Sequence, residues 1–225
     1  MQLSDQTINV LKNFAGINSN IVFRAGNELK TISVAKNILA KVTLDEEFPQ
    51  EFGVYNLPEF LNVLSLVESP TLQFEKTHLI ISDSTGLRGN KYFYSDIEML
   101  SAPSKDVIMP PADVKFTLDT DTLSRIKRAS SVLGHDNISI TPDGSNIKLS
   151  VVDKDDATSN SFFTYLPGEF EAGVDFKFIM NVNNLKVVNE DYEVSISKKL
   201  ISNFKSVQSS IEYFIALEKS STYGA

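Results

Sequence analysis

The chain has 225 residues, 42% hydrophobic and 22% charged, with no cysteine, two histidines and a formal net charge of −8 at pH 7. Lack of cysteine excludes disulfides and thiolate metal sites, and no apolar run is long enough for a helical membrane span. The opening MQLSDQTINV lacks the basic start and apolar core of a signal peptide, so an intracellular protein is expected.

Helical spacing comes first. Ser4 to Ala15 puts Ile8, Leu11, Phe14 and Ala15 on one face, and Ser4 or Asp5 can cap its start. Strand patterns follow at 20–24, 28–36 and 38–44. A second helix is expected from Leu57 to Val67. Asn56 and Glu59 resemble a capping box there, and Pro58 suits a first turn. Strands are expected again at 71–75 and 78–82. The stretch 101–114, SAPSKDVIMPPADV, has three prolines and no periodicity and is read as a connector. Its apolar centre, Val107, Ile108, Met109 and Pro110, fits either a cover over a sheet edge or the border of a peptide-binding groove.

A third helix, DTLSRIKRASSVLG (121–134), turns Leu123, Ile126, Ser130 and Leu133 inward and starts at Asp119 or Asp121. Strands are expected at 137–141, 146–153, 161–166, 175–180, 191–197 and 210–218, with a Pro-Asp-Gly turn at 142–144. A short fourth helix is expected over 181–188, NVNNLKVV.

The segments recur in order. Residues 3–23 match 118–140, pairing Leu3 with Leu118, Thr7 with Thr122, Leu11 with Ile126 and Lys12 with Lys127. YNLPEFLNVL (55–64) is echoed by MNVNNLKVVN (180–189). A repeat of about half the chain points to two similar domains, 1–110 (including connector 101–110) and 111–225.

Catalytic patterns are missing. The ten glycines form no phosphate loop, the histidines have no ligand spacing, and the acidic runs LDEE and DKDD read as solvated strand ends. A binding or scaffolding protein is expected, not an enzyme, with no cofactor and no metal.

The charge pattern is the functional clue. Overall acidity argues against indiscriminate coating of nucleic acid, but not against contact through a local positive patch. On a wheel of about 100° per residue, Arg128 points away from the apolar face of the third helix. Arg125 and Lys127 lie on its flanks, and the Lys127 stem can snorkel over apolar surface. Lys12 points outward from the first helix and Lys186 is the one cation of the fourth; the second helix carries only Glu59. Such cations suit phosphates rather than base edges, which gives sequence-independent contact.

The chain resembles the DNA polymerase sliding clamps of T-even-type bacteriophages. The resemblance rests on LSDQTINVLKNFAGINSNI, VYNLPEFLNVLSLV, FKFIMNVNNLKV followed by DYEVSIS, and YFIALEKSST. It implies an α+β fold of two processivity-type domains, antiparallel sheets outside and two helices per domain inside. Three subunits would close head to tail into a ring around duplex DNA. Lys12, Arg125, Lys127, Arg128 and Lys186 would face the DNA, and Val107, Ile108, Met109 and Pro110 would border a groove for partner peptides. The resemblance also implies a clamp-loader ATPase, the phage DNA polymerase and late-transcription factors as partners. The protein would work in the cytoplasm of the infected host. A virion structural or assembly protein with two β-rich domains is the alternative.

Overall fold

The computed structural model describes residues 1–156 and 158–224. The chain divides into two compact units, Met1–Asp106 and Val107–Ala225, and the division falls inside the connector.

The first unit begins with helix α1, Asp5–Ile17. The Ser4 side chain accepts the Thr7 N–H at 3.2 Å, a Ser N-cap that meets an otherwise orphaned backbone donor. The chain then runs through β1 (Ile21–Phe23), β2 (Gly26–Ile32), β3 (Ile38–Phe48) and β4 (Phe52–Val54). Helix α2 spans Leu57–Ser65, with Asn56 accepting the Glu59 N–H at 3.2 Å and proline in its first turn. Strands β5 (Thr71–Phe74), β6 (His78–Ser82) and β7 (Gly89–Phe93) form an antiparallel sheet in that order. β1 pairs with β4 and β2 with β3, both antiparallel. The sequence pattern carried β2 on to residue 36. Instead a turn closes at Ser33–Lys36, where Lys36 adopts φ 56° and Val34 is exposed.

The core of this unit is aromatic. Phe23 stacks on Phe52 at 4.5 Å, and Phe48, Phe60 and Phe74 close around the pair. Leu11 and Phe14 of α1 and Leu57 and Phe60 of α2 are almost wholly buried. Each contributes about 1.5–3 kcal/mol relative to exposure, which fixes which face each helix turns to solvent.

The second unit opens with β8 (Val114–Leu118), a strand that the sequence pattern does not assign. Helix α3 follows over Thr120–Leu133. Asp119 accepts the Thr122 N–H at 2.7 Å, and Gly134 closes the helix in the left-handed region at φ 70°. Next come β9 (Asn137–Asp143), β10 (Asn146–Val152), β11 (Phe162–Phe170) and β12 (Phe176–Asn181). After a 3-10 turn come β13 (Tyr192–Ser197), β14 (Ile201–Ser206), β15 (Glu212–Ala216) and β16 (Thr222–Tyr223). The unit's sheet runs β16-β12-β9-β10-β11-β8-β13-β14-β15.

The internal repeat is a repeat of topology. β1 with β4 corresponds to β9 with β12, β2 with β3 to β10 with β11, and β5-β6-β7 to β13-β14-β15. The pairing of β8 with β13 has its counterpart in a single bridge, Gln2 to Thr71. Ser4 and Asp119 are equivalent caps, each bonded to a threonine three residues on.

The expected fourth helix is a correction. Val182–Asn184 forms one 3-10 turn, capped by the Asn181 side chain on the Asn183 N–H at 2.9 Å. The second unit therefore has one α-helix and a 3-10 turn where two helices were expected. Three asparagines and three β-branched valines in 182–189 have poor helix propensity. Leu185 and Val187 are both buried, the two-residue alternation of an extended chain. Buried Tyr192 and Tyr213 pin this segment: Tyr192 donates its hydroxyl hydrogen to the Val188 carbonyl at 2.8 Å, and the Val188 N–H donates to the Tyr213 oxygen at 3.2 Å.

Gly53 on β4 gives a test of the first unit. A Cβ there would lie 2.7 Å from the Ser95 carbonyl and 2.6 Å from Leu100 Cδ1. Gly53→Ala should destabilise the first unit by about 1–3 kcal/mol in urea unfolding. An unchanged midpoint would contradict this packing.

Candidate nucleic-acid interface

The outward faces of α1 and α3 follow from what they bury. In α1, Thr7, Val10, Leu11, Phe14 and Ile17 are buried, so Asn9 and Lys12 are exposed. In α3, Leu123, Ile126 and Ser130 are buried, and Ser124, Arg125, Arg128 and Ser131 are exposed. The stripe is narrower than expected, because Leu133 is only half-buried and Val132 is 75% exposed.

The five cations named from sequence fall into different settings. Lys12 and Arg128 make no ion pair among the described residues and stand in solvent. Lys12 also borders a cleft of about 360 Å³ with Asp5, Ile8, Leu61 and Leu64. Arg125 is exposed, but its Nε donates to Asp121 Oδ2 at 2.7 Å, one turn back. An exposed pair of this kind is worth about 0.3–0.5 kcal/mol, so it orients the guanidinium without locking it.

Lys127 is half-buried, and its Nζ donates to the Val187 carbonyl at 3.4 Å. Burial holds its ammonium below the ordinary lysine range. Its stem covers apolar surface and its head braces α3 against the segment after the 3-10 turn. Lys186 is exposed between buried Leu185 and Val187. It therefore points outward from extended chain, not from a helix. α2 presents Glu59 and Asn62 and no cation.

Two carboxylates distant in sequence fix the helix starts. Glu46 on β3 accepts the Ser4 N–H, and the Thr7 hydroxyl at 2.6 Å. Partial burial opposes its charge, but these donors prevail and hold the carboxyl below the usual range. Asp191 accepts both the Thr120 hydroxyl and the Thr120 N–H at 2.7 Å, and these bonds lower its pKa. Each places negative charge at the positive end of a helix dipole. No local sequence signal marks them, since the partners lie 39 to 71 residues apart. Asp121 was legible, as Asp121 and Arg125 have i,i+4 spacing.

The connector residues differ among themselves. Ile108 is 86% exposed, whereas Val107, Met109 and Pro110 are half-buried. Just before them, Ala102–Asp106 closes a cleft of about 280 Å³ with Val22, Arg24, Glu28 and Lys30. Burial weighs against the charge of Lys30. Asp106 at 2.6 Å and Glu28 at 2.5 Å outweigh it and hold the ammonium above the ordinary range. The lining is polar and charged, and this part of the connector is tied down at both ends by Lys30–Asp106 and by the Ser101 N–H on Asn20 Oδ1 at 3.1 Å.

Two units of matching α+β topology, each with antiparallel strands and a cation-bearing long helix, define the class of DNA-clamp folds. Solved structures agree: proliferating cellular nuclear antigen from Entamoeba histolytica superposes with a TM-score of 0.68 at 15% identity over 94% of both chains. The PCNA2-PCNA3 complex from Sulfolobus tokodaii gives 0.69 at 16% identity, covering 97% of this chain and 98% of that one. The model for the gp45 sliding clamp, C terminal, matches residues 115–219, and that for the DNA polymerase processivity factor matches 4–86. The sliding clamp of Vibrio phage KVP40 is 34% identical over 97% of this chain and 99% of its own length. Those of Escherichia phage RB69 and Enterobacteria phage T4 are each 28% identical over 99% of both chains. The chain belongs to the sliding-clamp family of T4-like phages, DNA polymerase processivity factors that act as scaffolds rather than enzymes. The alternative of a virion shell protein falls with that assignment.

Asp191 and Glu46 set a pH test. Both have folded pKa values below their unfolded ones, so their stabilisation is full above the unfolded values and lost as pH falls through the folded values. Asp191→Asn should lower the unfolding temperature at neutral pH and flatten its decline below about pH 4. A parallel acid limb in the variant would show that Asp191 does not carry this linkage.

Proposed function

We propose that three copies of this chain close into a ring around duplex DNA and tether the phage polymerase for processive synthesis. The observation that supports this most is the exposed cations Lys12, Arg125 and Arg128 on the two long helices of a protein with net charge −8. These side chains would meet phosphates from inside the ring, and Lys186 would add a contact from extended chain. Lys127 would contribute through its position in α3 more than through direct contact, because its head group is engaged with Val187. The acidic remainder would repel the duplex, so that contact is confined to the lining.

Weak phosphate contacts suit this work. They carry no sequence information and exchange rapidly along the backbone, so a ring can slide without letting go. Ring closure, not affinity, would hold the protein on DNA. A closed ring must be opened to load, which assigns the work of opening to a clamp-loader ATPase. Partner peptides from the polymerase and from late-transcription factors would bind along Val107, Ile108, Met109 and Pro110. Exposed Ile108 supplies the apolar contact there. The site of action would be the cytoplasm of the infected host.

Native mass measurement should give a trimer of the 25.0 kDa chain. A monomer or dimer at every concentration would contradict the ring. Lys12→Glu and Arg128→Glu should shorten polymerase products and impair loading while unfolding stays within about 0.5 kcal/mol of the parent. Unaltered product length in the double variant would remove the helices from the DNA interface. Ile108→Ser should weaken polymerase capture by the loaded clamp without changing the oligomer, and unchanged capture would displace the groove.

A further inference from the structure

We propose that Asp121 positions and partly attenuates Arg125, so that α3 offers the duplex one unpaired cation, Arg128, and one whose charge is shared with a carboxylate. The inference rests on the reading that α3 faces DNA, and adds to it an acid whose work is to weaken contact.

The geometry is specific. Arg125 and Asp121 are 66% and 71% exposed at the side chain, so both ends of the pair stand in the same solvent layer as Arg128. The bond uses Nε of Arg125, at 2.7 Å from Asp121 Oδ2. An arginine has further N–H donors on its two terminal nitrogens. The guanidinium can therefore keep Asp121 and still hydrogen-bond a phosphate. What it loses while paired is net charge: a phosphate then meets a dipole, and releases less of its counterion atmosphere than it would to a lone cation.

The helix dipole favours an acid in this first turn, but the orphan backbone donors of α3 are met by other residues. The N-cap is Asp119, which already holds the Thr122 N–H, and Asp191 already holds the Thr120 N–H and hydroxyl. Asp121 makes no hydrogen bond to these backbone donors; its described partner is Arg125. At the same place in the repeat, α1 carries uncharged Gln6 and Val10 where α3 carries Asp121 and Arg125. Val10 is buried in the core, so α1 has no exposed base at this place for an acid to pair with. A ring that must slide gains from cations that centre the duplex while gripping weakly. An i,i+4 pair sets that balance within one helix turn.

The test is the salt dependence of binding to a short fluorescent duplex, which threads the ring without a loader. Each full phosphate contact adds about 0.9 to the slope of log K against log salt. Asp121→Asn should tighten binding at low salt and steepen the slope by a measurable part of the about 0.9 that one full contact adds. In an Arg125→Gln background the same change should give only the small effect of deleting one acid. Asp5→Asn, an exposed acid in the first turn of α1 with no cation bonded to it among the described residues, measures that small effect. Equal effects of Asp121→Asn and Asp5→Asn, or an effect that survives Arg125→Gln, would overturn the proposal. Arg128→Gln separates this from the reading beneath it. If Arg128→Gln lowers the slope by about 0.9 while Asp121→Asn behaves as Asp5→Asn, α3 faces DNA and the attenuation is wrong. If Arg128→Gln changes nothing, the DNA-facing reading fails, and the proposal with it.

Discussion

Burial of one apolar stripe on each long helix is the interaction on which the rest depends. Leu11 and Phe14 of α1 and Leu123 and Ile126 of α3 are at most 2% exposed. Their burial leaves no freedom in which residues point outward, because a helix of 3.6 residues per turn has one opposite face. The sheet behind each helix supplies the surface that makes the burial possible. Glu46 and Asp191 then fix where each helix begins. Lys12, Arg125 and Arg128 are exposed as a consequence of hydrophobic packing, and only Arg125 is then oriented by an ion pair, to Asp121.

This separation of forces explains how an acidic chain can serve DNA. Affinity would demand many cations and would stop movement. Topological tethering needs only enough positive charge to keep the duplex centred. The structure goes further in that direction than composition suggests, since two of the five cations named from sequence are partly spent within the fold. Arg125 is bonded to Asp121, and Lys127 to a backbone carbonyl.

Much of this was legible in the sequence where local rules decide. The caps Ser4, Asn56 and Asp119 and the apolar spacing of α1, α2 and α3 all act within a few residues. The failures lie where distant partners decide. β8 is a clean alternation, VKFTL, yet it abuts the prolines of the connector and becomes a strand through its register with β13 and β11. The segment 181–188 has helical spacing at Val182 and Leu185. Its asparagines and valines disfavour a helix, and two tyrosines reaching in from β13 and β15 hold it extended. Of the site, the outward direction of Lys12, Arg125 and Arg128 was readable from periodicity. The bracing of Lys127 was not, because its acceptor lies 60 residues away.

The most direct measurement of topological tethering is retention of the loaded clamp on nicked circular DNA before and after one cut linearises the circle. Tethering predicts stable retention on the circle and rapid loss from the free ends after the cut. Equal retention on circle and linear product would show that affinity, not encirclement, holds the protein on DNA.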